Sequence, residues 1–322
     1  MALFPLKLIP ATTHIDFMRW RLVTIGFMAL LMVASIGLIA TKGFNYALDF
    51  TGGTSVELLF EKPADIDAVR ERLEEAGYPG AQVQTMGTGS DLMIRLQPKD
   101  GVVEDAETIN RTAQEVLDAA GSADNPATIK GRSFIGPQVG RDLARNGIYA
   151  VLFVVIGFLI YIALRFQRKF AIAAIITTLG DVLIVAGWFS LAGREFDLNV
   201  VAGLLTVMGF SINDTIVVFD RVRENFRSMR AGPLEVMNTS INQTLSRTII
   251  TSVVAFLTVF SLYIYGGGSL AGMSEAMMIG IVIGTASSIL VACPLLTIGA
   301  LKVSKQDLLP KARDEEALAR RP

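Results

Sequence analysis

Residues 198–219 read LNVVAGLLTVMGFSINDTIVVF, twenty-two positions carrying a single charge, Asp214. About 20 apolar residues in helical conformation span a bilayer's hydrocarbon core, so this stretch reads as a membrane-crossing helix with an acid inside it. A mid-bilayer carboxylate costs about 2.5–3.5 kcal/mol on insertion scales, which makes such a residue a functional candidate by default. Gly203, Val207, Phe210, Asp214 and Val217 fall on one helical face, because positions three and four apart stack above one another. Gly203, Gly209 and Ser211 are small enough to let neighbouring helices approach closely. Asp214 is therefore expected to point into a helix bundle and to need a partner there.

Working outward, five further apolar blocks appear: Leu22–Ala40, Gly147–Leu164, Phe170–Leu191, Thr248–Tyr265 and Glu275–Leu301. The chain is 52% hydrophobic over 322 residues, and that apolarity is gathered into spans rather than spread in short periodic pieces. The first block follows Lys7, Arg19 and Arg21 and has no clean cleavage site after it, so it reads as an uncleaved anchor. Every second short loop is basic. The leader, the Arg165–Lys169 loop, the segment at 220–247 and the tail with Lys302 and Lys305 hold the Lys and Arg, whereas the opposite short loops hold only Arg194. By the positive-inside rule both termini are expected in the cytoplasm of a bacterial inner-membrane protein. The expected organisation is a cytoplasmic leader at 1–21, a first span at 22–40 and a periplasmic domain at 41–146. Spans two to six follow at 147–301, with a basic cytoplasmic segment at 220–247 and a tail at 302–322.

Roughly a hundred residues after the first span are polar and structured like a small α+β domain. Ser55–Phe60, Ala81–Met86, Asp91–Leu96 and Thr128–Ile135 have strand character, with Gly87-Thr88-Gly89-Ser90 as a hairpin turn. Asp65–Ala76 and Glu104–Ala120 have helical spacing. The order β-α-β-β-α-β is the split βαβ, ferredoxin-like arrangement. The fold class expected is thus a polytopic α-helical membrane protein of six transmembrane helices with an inserted periplasmic ferredoxin-like domain. The segment after the fourth span places Val222, Phe226 and Met229 on one helical face and Arg223, Arg227 and Arg230 on others, and Gly232-Pro233 starts a new helix, a position Pro tolerates.

Two further intramembrane groups accompany Asp214. Asp181 lies near the middle of the third span and Arg247 opens the fifth. An Asp214–Arg247 salt bridge that opens and closes would suit a proton relay, and the same pair could equally serve only to fix helix packing. Asn213, Thr215, Asn242, Gln243 and Thr248 are expected as interhelical hydrogen bonders, and Gly280 with Gly284 as a packing GxxxG. The lone Cys293 in an apolar helix reads as packing, and a lone His14 leaves any multi-histidine metal site without ligands. A net charge of −1 gives no sign of a nucleic-acid partner. No nucleotide loop or metal cluster is legible, so neither an enzyme nor a cofactor is expected, with protons as the only coupling ion.

Four segments together carry a resemblance: Leu48-Asp49-Phe50-Thr51-Gly52-Gly53-Thr54, Ile135-Gly136-Pro137-Gln138-Val139-Gly140, the run from Ser211 to Asn225, and Ser240–Thr248. In this order and topology the chain resembles the SecD/SecF family of bacterial protein-export membrane proteins, on its SecF side, within the resistance-nodulation-division superfamily. The resemblance implies pairing with SecD into a pseudo-symmetric twelve-helix unit beside the SecYEG channel, using the proton gradient to draw unfolded translocating polypeptides outward among membrane lipids. It implies relay roles for Asp214 and Arg247. Asp181 matches a family Asp whose preceding residue is often His, where this chain has Gly180. The segment holding Asp49, Gly52, Gly53 and Thr54 would couple the first span to the outer domain. Rival readings are a proton-driven small-molecule or lipid exporter half of the same superfamily and a purely structural translocon-stabilising subunit. An intramembrane aspartyl protease would show Gly-x-Gly-Asp, whereas Asp214 follows Ser211-Ile212-Asn213.

Overall fold

A computed structural model describes residues 13–86, 89–96, 106–122 and 124–303. Lys7, the Gly87-Thr88 half of the expected hairpin turn, Glu104 and nearly all of the 302–322 tail lie outside the described residues. The chain is a polytopic helical membrane protein; among the described residues six helices are long and apolar enough to cross a bilayer: Phe17–Lys42, Gln138–Arg165, Arg168–Ala192, Leu198–Ser228, Pro233–Tyr265 and Leu270–Leu295. It divides into two compact units, one made of residues 44–152 with 194–201 and the other of the remainder.

The smaller unit is an α+β fold. Its elements are β1 (Asn45–Tyr46), α2 (Leu48–Thr51), β2 (Gly53–Phe60), α3 (Ile66–Glu75), β3 (Gln82–Met86), β4 (Asp91–Leu96), α4 (Ala106–Ala120) and β5 (Ala127–Ile135), after α1 (Arg21–Lys42) of the larger unit. The four long strands pair antiparallel in the order β3-β4-β2-β5, the ferredoxin-like order expected from β-α-β-β-α-β. Period-two patterning makes the sheet: Val56, Leu58 and Phe60 of β2 and Leu92 and Ile94 of β4 are buried, their even spacing sending them to one face. Against that face pack Val69 and Leu73 of α3 and Ala113 and Val116 of α4. Asp65 starts α3 by accepting the Asp67 amide at 3.0 Å, as an N-cap carboxylate does. One feature was invisible to strand periodicity: two residues of the later loop, β6 (Glu195–Phe196), pair in parallel with β1.

The larger unit contains α1, α5 (Pro137–Arg165) from residue 153, α6 (Arg168–Ala192), α7 (Leu198–Ser228) from residue 202, α8 (Pro233–Tyr265), α9 (Gly268–Ser287), a π-helical turn Ser288–Ala292 and α10 (Cys293–Leu295). Small residues set the close approaches. A Cβ on Gly187 would strike Ser35 of α1, and one on Gly180 would meet Met32 at 3.0 Å. A Cβ on Gly280 would overlap Val207, and one on Gly284 would meet Ser211 at 3.2 Å. The expected GxxxG is therefore the seat of α7 on α9. Gly203 also faces α9, at Met273 and Ala276, but Gly209 has nothing within 4 Å, so it takes no part in that seam. Phe166, Phe170 and Phe219 form an aromatic cluster at the core. Only 6% of the α5 span is buried within the chain, so its apolar faces must meet lipid or another protein.

Several span limits differ from the hydropathy reading. α5 begins ten residues before Gly147, at Pro137, where Pro suits the first helical turn. The 220–247 segment is the ends of two long helices, since α7 runs to Ser228 and α8 starts at Pro233. Polar Asn242–Arg247 stays helical because tertiary contacts, not apolarity, hold it. The sixth span lies further toward the N-terminus than Glu275–Leu301, starting at Gly268 and ending by Leu295. Pro294 supplies the reason: it lacks the amide that would bond to the Leu290 carbonyl, and its ring crowds that carbonyl. The ladder widens into the π turn and then stops.

Candidate functional site

The intramembrane polar groups meet where α6, α7, α8 and α9 pack. Asp181 of α6 is fully buried. Its Oδ2 accepts from Ser211 Oγ of α7 at 2.5 Å and from Ser287 Oγ of α9 at 2.7 Å. Its Oδ1 has no protein partner. One carboxylate thus ties three helices, at the point where Gly284 gives Ser211 room and where α9 passes into its π turn. Unpaired polar groups in low dielectric are costly, so such a knot is retained for a purpose or compensated in another state.

One turn along α7 from Ser211 lies Asp214, 4% exposed, with Oδ2 unpartnered. The Ser252 hydroxyl of α8 and the charge of Arg247 act on it. Ser252 donates to the Thr248 carbonyl and accepts from Thr285 Oγ1 of α9, both at 2.7 Å. The expected Asp214–Arg247 salt bridge is not formed. Arg247 sits on an exposed face of α8 and influences Asp214 by charge alone, because the helix turns its side chain outward. Thr178, Thr215 and Thr248 contribute buried hydroxyls without partners, so Thr215 and Thr248 belong to this polar interior but are not the hydrogen bonders expected of them.

The other expected polar residues lie elsewhere. Asn213 is exposed on the outer face of α7, in line with Ala202, Thr206 and Gly209. Asn242 accepts the Ile15 amide at 3.0 Å and donates to the Ile15 carbonyl at 2.8 Å, strapping the segment before α1 to α8. Gln243 accepts from Asn225 at 2.9 Å. The sequence marks Ser211 only as a small packing residue and does not single out Ser287. The available signal was the hydroxyl run Thr285, Ser287, Ser288 in an otherwise apolar helix.

The Asp49–Thr54 motif forms a second constellation, in the smaller unit. Asp49 Oδ2 accepts the Leu198 amide at 3.0 Å, and Asp197 Oδ1 accepts the Val200 amide at 2.6 Å. Two carboxylates therefore cap the first turn of α7, satisfying donors that have no intrahelical partner. Gly52 and Gly53 take φ of +69° and +122°, which L side chains avoid. A Cβ on Gly140 would meet the Gly52 amide nitrogen at 3.0 Å, so the two glycine-bearing motifs touch. Thr54 is buried at the start of β2. Arg95 of β4, 5% exposed, pairs with Glu195 of β6 at 2.5 Å and donates to the Tyr46 carbonyl and Gln84 at 3.2 Å. Burial pushes the Glu195 carboxyl above its ordinary value, with Arg95 pulling it back. Burial likewise raises Asp197, against the Val200 amide and with help from Asp49. Nothing in the local sequence marked Arg95, Glu195 or Asp197, since their meeting depends on the sheet register and the β1–β6 pair.

Among the described residues no cluster of three or more His, Cys, Asp or Glu could hold a metal. Comparison with known proteins identifies the family. The family described as "Protein export membrane protein SecD/SecF, C-terminal" matches residues 115–301, and the "SecD/SecF GG Motif" matches 37–64. The protein translocase subunit SecF of Vibrio alginolyticus is 41% identical over 96% of this chain and 97% of its own, and that of Escherichia coli O157:H7 is 42% identical over 87% and 86%. The protein translocase subunit SecDF of Brucella abortus is 38% identical over 94% of this chain, which spans 39% of it. The crystal structure of SecDF from Thermus thermophilus, titled a translocon-associated membrane protein, superposes with a TM-score of 0.79 at 37% identity, over 91% of this chain and 39% of that one. With the family model over residues 115–301, the GG motif at 37–64 and SecF relatives covered over 86% and 97% of their own length, the chain belongs to the SecD/SecF family of protein-export membrane proteins.

Proposed function

We propose that this chain is an accessory subunit of the Sec protein translocase, pairing with SecD beside the SecYEG channel and using the proton motive force to promote export of unfolded polypeptides. In this proposal it lies in the bacterial inner membrane with both termini cytoplasmic and the ferredoxin-like domain periplasmic, as the basic short loops favour. The observation that carries the reading is the pair of buried carboxylates, Asp181 and Asp214, each with an oxygen free of protein partners, in a chain with SecF relatives along most of its length. Such oxygens can take up a proton without breaking an existing bond.

A proton moving down 100 mV supplies about 2.3 kcal/mol, enough to bias two states separated by a few kcal/mol though not to tear apart a stable fold. Protonating Asp181 would weaken its acceptance from Ser211 and Ser287, since hydrogen bonds to an ionised group are about twice as strong as neutral ones. That loosens the contact of α7 with α6 and α9. Arg247 and Asn213, both exposed on the membrane unit, are groups a lipid-facing surface would exclude, and they support a second polytopic subunit covering that face. SecD fits, as the SecDF relatives carry a longer chain around the same region.

The test is reporter export in membrane vesicles with and without a proton gradient, comparing wild type, Asp214→Asn and Asp181→Asn, with co-purification of SecD in the same samples. Variants that assemble and lose only the gradient-dependent part of export uphold the relay. Wild-type gradient dependence in both leaves a structural, translocon-stabilising subunit.

A further inference from the structure

A charged cavity of about 530 Å³ opens where α5 ends, lined by Arg165, Asp220, Arg223, Glu224, Arg227 and Ser228. The Arg165 and Arg223 guanidinium groups lie over the buried ring of Phe166, 5.4 and 5.7 Å from its centroid. Asp220 holds both arginines, Arg165 at 2.5 Å and Arg223 at 3.4 Å. Each guanidinium has five donors in a fixed fork, and Asp220 engages one nitrogen of each. The Nε of Arg223 is buried and without a partner. Glu224 is paired with Arg221 at 2.8 Å, and Arg227 adds a third positive charge, so the lining sets three arginines against two carboxylates.

We propose that this cavity binds the phosphodiester headgroup of an anionic phospholipid. Phosphate fits the forked donors better than a point acceptor would, and basic pockets at the ends of membrane helices suit such headgroups. Two sources share this chemistry, lipid and soluble phosphate. The surroundings select the lipid: Arg165 is the last residue of α5, and just before it Leu164, Tyr161 and Ile160 are 84%, 50% and 55% exposed. An acyl chain lying along that apolar face would continue directly from a headgroup in the cavity.

The test is native mass spectrometry of the full chain in detergent, titrated with phosphatidylglycerol, phosphatidylcholine or inorganic phosphate. Phosphatidylglycerol is expected to bind in preference to phosphatidylcholine, and inorganic phosphate is expected not to displace it. Arg165→Gln with Arg223→Gln lowers phosphatidylglycerol affinity by about 25-fold, at roughly fivefold per charge. Asp220→Asn raises it, because both guanidinium groups are released, and Arg230→Gln, outside the cavity, leaves it unchanged. A purely structural role for the cluster would make Asp220→Asn weaken binding as well, which overturns the proposal. So does equal binding of both lipids, or displacement by inorganic phosphate.

Discussion

Replacing Arg95 should release the β1–β6 junction. Its guanidinium is 5% exposed and supplies donors to Glu195, Gln84 and the Tyr46 carbonyl. Removing one member of a fully buried ion pair costs about 3–5 kcal/mol, because the partner is left charged and dry. Here the Glu195 side chain is 29% exposed, so water recovers part of its solvation and about 2 kcal/mol is expected for Arg95→Met. That corresponds to a roughly 30-fold larger opening equilibrium constant. The Met side chain keeps the packing of the arginine stem, so the loss reports the charge rather than a cavity. Hydrogen–deuterium exchange of the full chain in detergent, followed on peptides covering β1 and β4, reads the opening directly. The double variant Arg95→Met/Glu195→Gln leaves no unpaired charge and should recover at least half of the loss. Unchanged protection in Arg95→Met, or a double variant no milder than the single one, refutes the account of Arg95 as the bond that holds β6 to the sheet.

Three further outcomes follow from the geometry. Gly280→Val drives a side chain into Val207 and should cost about 1–3 kcal/mol as overpacking, lowering the thermal midpoint in detergent; an unchanged midpoint would mean that α7 and α9 are not seated as described. Asp181→Ala strips Ser211 of its acceptor while Ser287 keeps its 3.1 Å bond to the Gly284 carbonyl, so about 1.5–3 kcal/mol is expected, and Asp181→Asn, which keeps an acceptor, should lose less; the reverse order in thermal unfolding would count against the knot. Asp197, raised by burial, holds its proton more tightly in the folded chain, so the stability it contributes is present below about pH 4 and lost as pH rises through the folded value. Asp197→Asn keeps a comparable cap without that titration, so the wild-type midpoint minus the variant's should fall as pH rises above about 4, and a difference that rises would reverse the sign.

The six spans and the ferredoxin-like insertion were legible because both rest on periodicity: long apolar blocks in one case, period-two and period-3.6 alternation in the other. The limits of α5 and α8 were not, since Gln138–Asn146 and Asn242–Arg247 are polar yet helical, and hydropathy registers solvent preference rather than backbone hydrogen bonding. Asp214 and Asp181 could be named from their cost in a bilayer. Their partners could not, because which hydroxyl meets which carboxylate depends on the rotation of each helix about its axis. A shift of one residue turns a side chain by 100°; that is why Asn213, adjacent to Asp214, faces outward. The outward turn of Arg247, which leaves its salt bridge with Asp214 open, has the same cause.

α7 is the element along which a proton relay would couple to the outer domain. It is one uninterrupted helix from Leu198 to Ser228. Its first turn is capped by Asp49 and Asp197, its middle holds Ser211 and Asp214, and its last turns hold Asp220 and Arg223. A helix transmits axial displacement well because every turn is closed by its own hydrogen bonds, so a shift started at Ser211 reaches the capped turn only while the intervening turns stay stiff. Ala202 and Thr206 are exposed on that stretch, and glycine at both would soften it by about 1 kcal/mol each without opening a cavity or touching a carboxylate. Chains carrying Ala202→Gly/Thr206→Gly should assemble with SecD and retain the Asp181 knot, yet export less of the reporter per unit gradient. Full gradient-dependent export from that variant would mean that motion, if it leaves the buried carboxylates, does not travel along α7.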